Sequence, residues 1–581
     1  MTCNVLANKV ALFVALGVLS LSPLSGFADS TLHVYTARSV ITMDETLPRA
    51  EAVAVANGRI VAVGTLDSMR PWLESRPHLI DERFANKIIM PGLIHNHLHP
   101  QLAALLLNTY WITPHEWELP GWRVPRTRGH DEYLRVLQQA VENSPIDGEP
   151  FITWGYHEIW HGEVNRAELD WISQERPIIV WQRSFHEVIA NTAGIQWLGV
   201  DRAKPSPHAE VDLARGSFSE QGMIQFAIAP LSRHLLQPEK LALGHDRLRD
   251  IIWRGGITTI ADMGGGGYPI FRHEVAALTN SFGDDDTPFR VMVVPAIANT
   301  NLEIGLDELA DEFDTYPELS THKIIVKKHI KFFADGAFFA QYMRMNPPGY
   351  TDGHQGKWMT EPDELLSFAR EFWNRGYQIH IHVNGDEGMD VVLDTLQILL
   401  DEKPRTDHRL TLHHVGYATN DQLRRAASLG VVISAQPYYL WALGDAYANK
   451  GLGYDRASQM SRIGGMLRQG IPVSLHSDFT MAPAAPLTLA SVAVNRITAE
   501  GTLMAPEERI TTEQALRAIT IDAAYALKME QEIGSIVAGK RADFTVLEDD
   551  PLAIDPMKLK DIAIWGTVFE GRVFPIEQHS Q

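Results

Sequence analysis

Cysteine is all but absent from this chain: the single one, Cys3, stands at the extreme N-terminus. That excludes a disulfide framework and any site built from several thiolates. Positive charge is also short, with 51 Lys and Arg against 72 Asp and Glu and a net charge of −21. A general nucleic-acid binder needs a basic face, so no nucleic-acid partner is expected. Beyond the N-terminal segment no apolar run is long enough for a stable membrane span. Internal repeats and low-complexity tracts are missing too. What is present is a chain of 581 residues, 45% apolar and 21% charged. That composition is a folded protein's, with room for one large or two to three ordinary domains.

The N-terminus reads as a leader. Lys9 precedes an apolar run at 10–21, then Pro23 and the small-residue end Gly26-Phe27-Ala28. This is the pattern of a secretory signal peptide, residues 1–28, cut after Ala28; the alternative is a buried N-terminal helix. Export predicts a secreted or periplasmic protein whose mature chain has no cysteine. Any metal must then be held by His, Asp, Glu or a modified Lys.

Both ends are rich in short strands. Residues 53–55 and 60–63 flank Asn57-Gly58, a strong hairpin signal. Residues 543–547, 562–569 and 571–574 have the same style. The prediction is a small β-sandwich domain formed by both termini, residues 29–89 and 531–581. Between them strands and helices alternate: helix 362–375, strand 377–383, helix 386–400, strand 409–415, helix 421–429, strand 431–435, helix 459–469 and strand 471–476. Such a rhythm means a parallel sheet. A doubly wound sheet is the rival. An α/β (β/α)8 TIM barrel over residues 90–530 is preferred, because the polar residues gather at strand C-terminal ends, where such barrels build their sites. Residues 101–255 hold a large Trp-rich insertion over the barrel mouth, eight of the fourteen tryptophans falling in 101–200. It reads as a subdomain with its own core, or as a source of rings for an apolar pocket. The glycine run at 264–267 lacks a following Lys-Ser/Thr, so it is a loop at the barrel top and not a phosphate loop.

The chemistry lies in the histidines. His95, His97 and His99 alternate along one strand, which puts them on one face. Later strand ends carry His380 and His382, His413 and His414, and Ser477 with Asp478; Lys331 follows the apolar strand 324–326. Imidazole is the commonest protein ligand for zinc-like metals. Each histidine alone is as readily a hydrogen-bonded core residue. Five such strand ends in chain order are far more specific.

At this point the residues resemble the amidohydrolase superfamily, and within it amidohydrolase family 3, the branch that includes N-substituted formamide deformylases. The resemblance covers residues 31–574. It is carried by Pro91-Gly92-Leu93-Ile94-x-x-His97-x-His99, Gly256-Ile257-Thr258-Thr259-x-x-Asp262-Met263-Gly264 and Lys331-x-x-x-Asp335-Gly336. It continues through His382-x-x-Gly385-Asp386, His414, Ser477-Asp478, Ala515-Leu516-x-x-x-Thr520 and Gly534-Ser535-Ile536-x-x-Gly539-Lys540-x-Ala542-Asp543.

The resemblance implies an exported metal-dependent amidohydrolase that cleaves an amide-type C–N bond, N-acyl or N-formyl but not peptide, with metal-activated water. His97 and His99 would hold one divalent metal, with zinc the expected ion and one or two per chain. His382 and His414 would hold a second or position the nucleophile. Lys331, carboxylated, would bridge the two. Asp478 would be both ligand and general base. The implied catalytic set is therefore Asp478, Lys331 and His414. His186 and Asn191 match a motif that implies substrate contact, with a structural hydrogen bond as the alternative, and Glu220 is a weaker case. His95 stands where the family usually has Asp, and a supporting role is expected rather than ligation. Where the family often runs Arg-Thr-Ala after Asp335-Gly336, this chain has Ala337-Phe338-Phe339-Ala340-Gln341-Tyr342, whose rings hint at an apolar substrate group. A deaminase or cyclic-amide hydrolase on the same scaffold is the alternative enzyme. A non-catalytic exported binding or regulatory protein is the alternative of another class. The expected partners are a small-molecule substrate and a second copy in a homodimer.

Overall fold

Eight parallel strands in the computed structural model form a ring: β1 (Leu93–Leu98), β2 (Ile257–Gly265), β3 (Arg290–Pro295), β4 (His329–Phe333), β5 (Gln378–Val383), β6 (Thr411–His414), β7 (Val432–Ala435) and β8 (Val473–Leu475). They pair as two arcs, β1 to β3 and β4 to β8. Bridges Ala296–Lys331 and Leu98–Phe479 close the arcs into a barrel. The structure describes residues 31–145, 148–185, 187–200, 210–219, 221–266, 270–297 and 304–577. The leader, His186 and Glu220 lie outside the described residues.

The helix Pro362–Asn374 shows why the rhythm is readable. Proline at its first turn costs no hydrogen bond, and Leu365, Phe368, Ala369, Phe372 and Trp373 form one buried stripe. Gly376, at φ +84°, takes the left-handed turn that ends it. The predicted helix 459–469 is instead two, Tyr454–Ser458 and Ile463–Arg468. Ser461 breaks it with φ +46°. Lys331 does not follow a barrel strand at 324–326; it lies inside β4, and Ile324–Ile325 only extends the edge of β3.

The chain ends share one continuous seven-stranded sheet, in the order 572–575, 564–569, 544–547, 78–91, 32–41, 49–56, 59–64. Asn57 and Gly58 both have positive φ, 51° and 72°, the signature of a type I′ hairpin. Alternation loads both faces. Val53 and Val55 pack with Phe84 and Phe544, while Ala52 and Ala54 pack with Leu32, Val34 and Met69. The long strand His78–Pro91 leads directly into β1 through Gly92. A Cβ at Gly92 would fall 2.0 Å from Thr258 Oγ1, so only glycine fits that crossing.

Between β1 and β2 the insertion builds a six-stranded sheet of its own, with a core that includes Tyr133, Leu137, Phe151 and Tyr156. Trp111, Trp117, Trp154 and Trp181 join the main core, and Trp171 is 76% exposed. The tryptophans therefore pack the insertion down onto the barrel.

TIM barrels usually fill their interiors with bulky branched apolar side chains. Here His97, Lys331, His380, His413, Ser434, Ser474 and His476 are all buried among the strands. Buried polar groups need partners, and where these find them defines the site.

Candidate metal centre

The C-terminal ends of β1 and β8 bring together His97, His99 and Asp478, whose ligand atoms lie within 4.8 Å of one another. Asp478 Oδ1 is 3.1 Å from His99 Nε2 and 3.6 Å from His97 Nε2. Two nitrogens each ~2.05 Å from one tetrahedral zinc stand about 3.3 Å apart. The observed spacings bracket that value, so this donor set fits a divalent ion. His97, His413 and His476 also bring nitrogens within 4.8 Å. There, however, His97 Nδ1 and His413 Nδ1 are only 2.7 Å apart, a hydrogen bond and not two ligands of one ion. His97 thus turns Nε2 toward Asp478 and Nδ1 toward its support.

Backbone strain holds the donors at the strand ends. Asp478 has φ +54° and His414 φ +77°, a region that costs a non-glycine residue about 1–3 kcal/mol. The Asp478 N–H donates to the His97 carbonyl at 3.2 Å, tying β8 to β1. His414 Nδ1 donates to Gln436 Oε1 at 3.1 Å, and Gln436 Nε2 donates to the Ser477 carbonyl at 2.9 Å. That leaves His414 Nε2 as its free donor atom. His382 packs against His414 with ring centroids 4.4 Å apart, but its Nε2 accepts from Asn384 Nδ2 at 3.0 Å. His382 and His414 belong to neither cluster of close donor atoms.

Charge is distributed unevenly. Burial, together with the Lys331 ammonium and three neighbouring imidazoles, keeps His97 neutral and ready to ligate. Burial alone would lower the pKa of His99, but the Asp262 and Asp478 carboxylates outweigh it and raise it to about 9. Burial raises Asp478, yet the His99 hydrogen bond and the nearby positive charges bring it below the usual carboxylate range. In the ion-free protein, protonated His99 supplies the positive charge the carboxylates require. A ligand nitrogen must be bare, so metal and proton compete for His99. Raising the pH removes that proton, and metal affinity is expected to rise about tenfold per pH unit between roughly pH 7.5 and 8.5. Chelator competition at several pH values measures it; a flat profile would show His99 unprotonated or unused.

Lys331 Nζ is buried and donates to the Met263 carbonyl at 3.2 Å. Burial lowers its pKa to about 7, against the pull of Asp478 and Asp262. Asp335 explains two of the sequence motifs at once. Its carboxylate accepts from the Asn384 and Gly385 N–H groups at 2.8 Å each and from Arg344 N–H at 2.9 Å, which fixes the loop behind His382.

The remaining expected residues are placed as follows. His95 Nε2 bonds Ser477 Oγ at 2.5 Å, supporting the Asp478 loop. Asn191 does not reach the site. It caps helix Thr192–Trp197 and donates to the Ser173 and Arg176 carbonyls at 2.7 and 2.9 Å. These contacts are those of the alternative reading, a structural hydrogen bond. Two residues not expected at the site stand there: Asp262, named only as part of a motif, whose Oδ1 is 3.4 Å from His99 Nδ1, and Tyr439, which lines the cavity. The cavity above the donors has a volume of about 210 Å³ and exposes His99, His382 and Asp478 beneath Phe333, Phe338, Tyr439 and Phe479. None of its walls is a tryptophan.

Residues 85–575 match the sequence profile of the Amidohydrolase family. The chain belongs to that family. Among its relatives are the protein LONG AFTER FAR-RED 3 of Arabidopsis thaliana, 26% identical over 91% of this chain and 88% of that one. The N-substituted formamide deformylase of Arthrobacter pascens is 25% identical over 92% and 96%. An uncharacterised metal-dependent hydrolase of Pyrococcus horikoshii has the same fold, with a TM-score of 0.70 at 19% identity over 90% of this chain and 99% of that one. This amidohydrolase is therefore a TIM-barrel hydrolase by fold and family. Among the described residues no helix is long and apolar enough to cross a membrane.

Proposed function

We propose that this amidohydrolase is an exported enzyme that hydrolyses the C–N bond of an uncharged N-acyl or N-formyl amide carrying an apolar group. The observation that carries the reading is the His97, His99 and Asp478 donor set opening into a cavity walled by aromatic rings. Apart from the donor residues, no charged side chain among the described residues lines that cavity, which favours an uncharged substrate group there. The leader pattern at residues 1–28 supports export.

A divalent ion held by His97, His99 and Asp478 would supply Lewis acidity and lower the pKa of water toward about 7. The Asp478 carboxylate accepts a proton from the attacking water and returns it to the departing nitrogen. His414, fixed through Gln436, would hold a second ion or orient the carbonyl, with His382 beside it. Lys331 is suited to carboxylation. At about pH 7 a substantial fraction is neutral amine, whose nitrogen can bond the carbon of carbon dioxide and release a proton. The resulting carbamate, with one negative charge shared over two oxygens, would offer a further ligand group for divalent ions. The aromatic walls exclude competing water.

Elemental analysis of the purified mature protein, followed by assay on N-formyl and N-acyl amides of apolar amines, tests the reading. About two ions per chain with amide turnover supports it. Loaded protein that leaves every such amide intact would overturn the substrate class, and N-terminal sequencing that finds residues 1–28 retained would overturn export. Lys331→Ala is expected to lower metal content by about one ion per chain; unchanged content would remove the bridging role.

A further inference from the structure

The buried histidines beneath the metal centre are joined end to end. His97 Nδ1 is 2.7 Å from His413 Nδ1, His413 Nε2 is 2.9 Å from His380 Nδ1, and His380 Nε2 is 3.0 Å from His329 Nδ1. All four are at most 2% exposed. The column starts at the site and ends at His329, the first residue of β4. In each contact between two ring nitrogens one must donate and the other accept, so each link needs one bare nitrogen. His413 and His380 each spend both nitrogens in the column, and complete burial favours neutral rings with one proton apiece. The column has only two self-consistent states, with every proton pointing one way or the other.

We propose that His413, His380 and His329 form a tautomer ladder that commits His97 Nε2 to the metal. The proposal rests on the reading above that His97 is a ligand. With Nε2 on the ion, His97 Nδ1 carries the proton and donates to His413 Nδ1. His413 Nε2–H then donates to His380 Nδ1, and His380 Nε2–H to His329 Nδ1. In the reverse state His97 Nε2 carries the proton, aimed toward Asp478 3.6 Å away, and cannot ligate. His329 closes the metal-binding state by accepting the last proton. It also permits the reverse state, because it can donate from the same nitrogen. Removing its ring leaves His380 Nε2 without this partner in both states, as a bare nitrogen in the reverse state and as a stranded N–H in the metal-binding one. Metal binding must then strand the His380 Nε2–H in the core, and a buried donor without a partner is costly. Loss of such outer partners weakens metal affinity by about 10–100-fold.

The test uses the full mature protein and Zn²⁺. His329→Leu, which cannot accept, is expected to raise the zinc dissociation constant about 10–100-fold. His329→Gln, whose amide can accept or donate, is expected to stay near wild type. A purely packing role would not separate the two in that order. Histidine ¹⁵N spectra of the zinc-loaded wild type give a readout without any variant, should His329→Leu fail to fold. They are expected to place protons on His97 Nδ1, His413 Nε2 and His380 Nε2. Unchanged affinity in a folded His329→Leu, or a proton on His413 Nδ1 in the loaded wild type, overturns the ladder while leaving the hydrolase reading intact. Wild type that takes up no zinc overturns both.

Discussion

Asp478→Asn is expected to lower kcat by about 10³–10⁴-fold while the protein folds normally, the upper range for losing a general acid–base group. The substitution is chosen because it isolates the proton. Asp478 sits at φ +54°, a backbone region that asparagine tolerates better than almost any residue but glycine. The strand-end strain is therefore kept and not relieved. The amide keeps the shape and one oxygen toward His99 and His97. What it loses is the negative charge, and with it the ability to take a proton from water and return it to a leaving nitrogen. His99 also loses one of the two carboxylates that hold its pKa near 9, so the ion-free mutant releases that proton more readily. Metal content measured alongside kcat separates the effects. Turnover lost with ions retained assigns the proton transfer to Asp478. Turnover and ions lost together make ligation its dominant role, and full activity would remove it from the mechanism.

The legible and the illegible parts of this molecule divide along the barrel wall. Helices that face solvent on one side, such as Pro362–Asn374, carry an apolar stripe whose period identifies them. The strands β5 to β8 lie within two residues of their predicted ends because they alternate with such helices. The strand β4 breaks the rule. Its sequence, His-Ile-Lys-Phe-Phe, places polar side chains where a barrel strand ordinarily shows aliphatic ones, so the apolar pair Ile324 and Ile325 draws the eye instead. The same polar filling hides His329 and the contacts His413 makes with other histidines. A strand-end histidine alone gives no sign of whether it faces an ion or another histidine; only the register that sets His380 beside Lys331 and His413 beside His382 decides it. The alternation of His97 and His99, by contrast, is visible because His97 lies in β1 and His99 immediately follows its end. Asn191 misleads for a different reason: a helix cap and a substrate contact use the same side chain, and only its four buried backbone partners distinguish them.

The last motif, Gly539-Lys540-x-Ala542-Asp543, marks a joint whose failure should be severe. Arg290 opens β3 with its guanidinium fully buried. It donates from Nη1 to Asp543 Oδ2 at 2.5 Å and to Thr259 Oγ1 at 3.1 Å, and from Nη2 to Glu570 Oε1 at 3.2 Å. The second Asp543 oxygen accepts from the Glu570 N–H at 2.9 Å, and the Asp543 carbonyl accepts from the Gly92 N–H at 2.9 Å. The Asp543 carboxylate thus joins the barrel floor to the C-terminal strands, and its backbone carbonyl holds the entry to β1, which leads to His97 and His99. Asp543→Ala strands a buried guanidinium with Glu570 as its only remaining carboxylate. Breaking a buried pair by removing one partner costs about 3–5 kcal/mol, and that loss is expected as a lower urea midpoint. Arg290→Met with Asp543→Leu removes both charges and fills the space, so the double variant is expected to be more stable than Asp543→Ala alone. If the double variant were as unstable as the single one, the joint would depend on the specific hydrogen bonds of Asp543 and not on pairing a buried charge. Because β1 continues directly from this joint, metal affinity measured on Asp543→Ala tests whether the terminal sheet also sets the aim of His97 and His99.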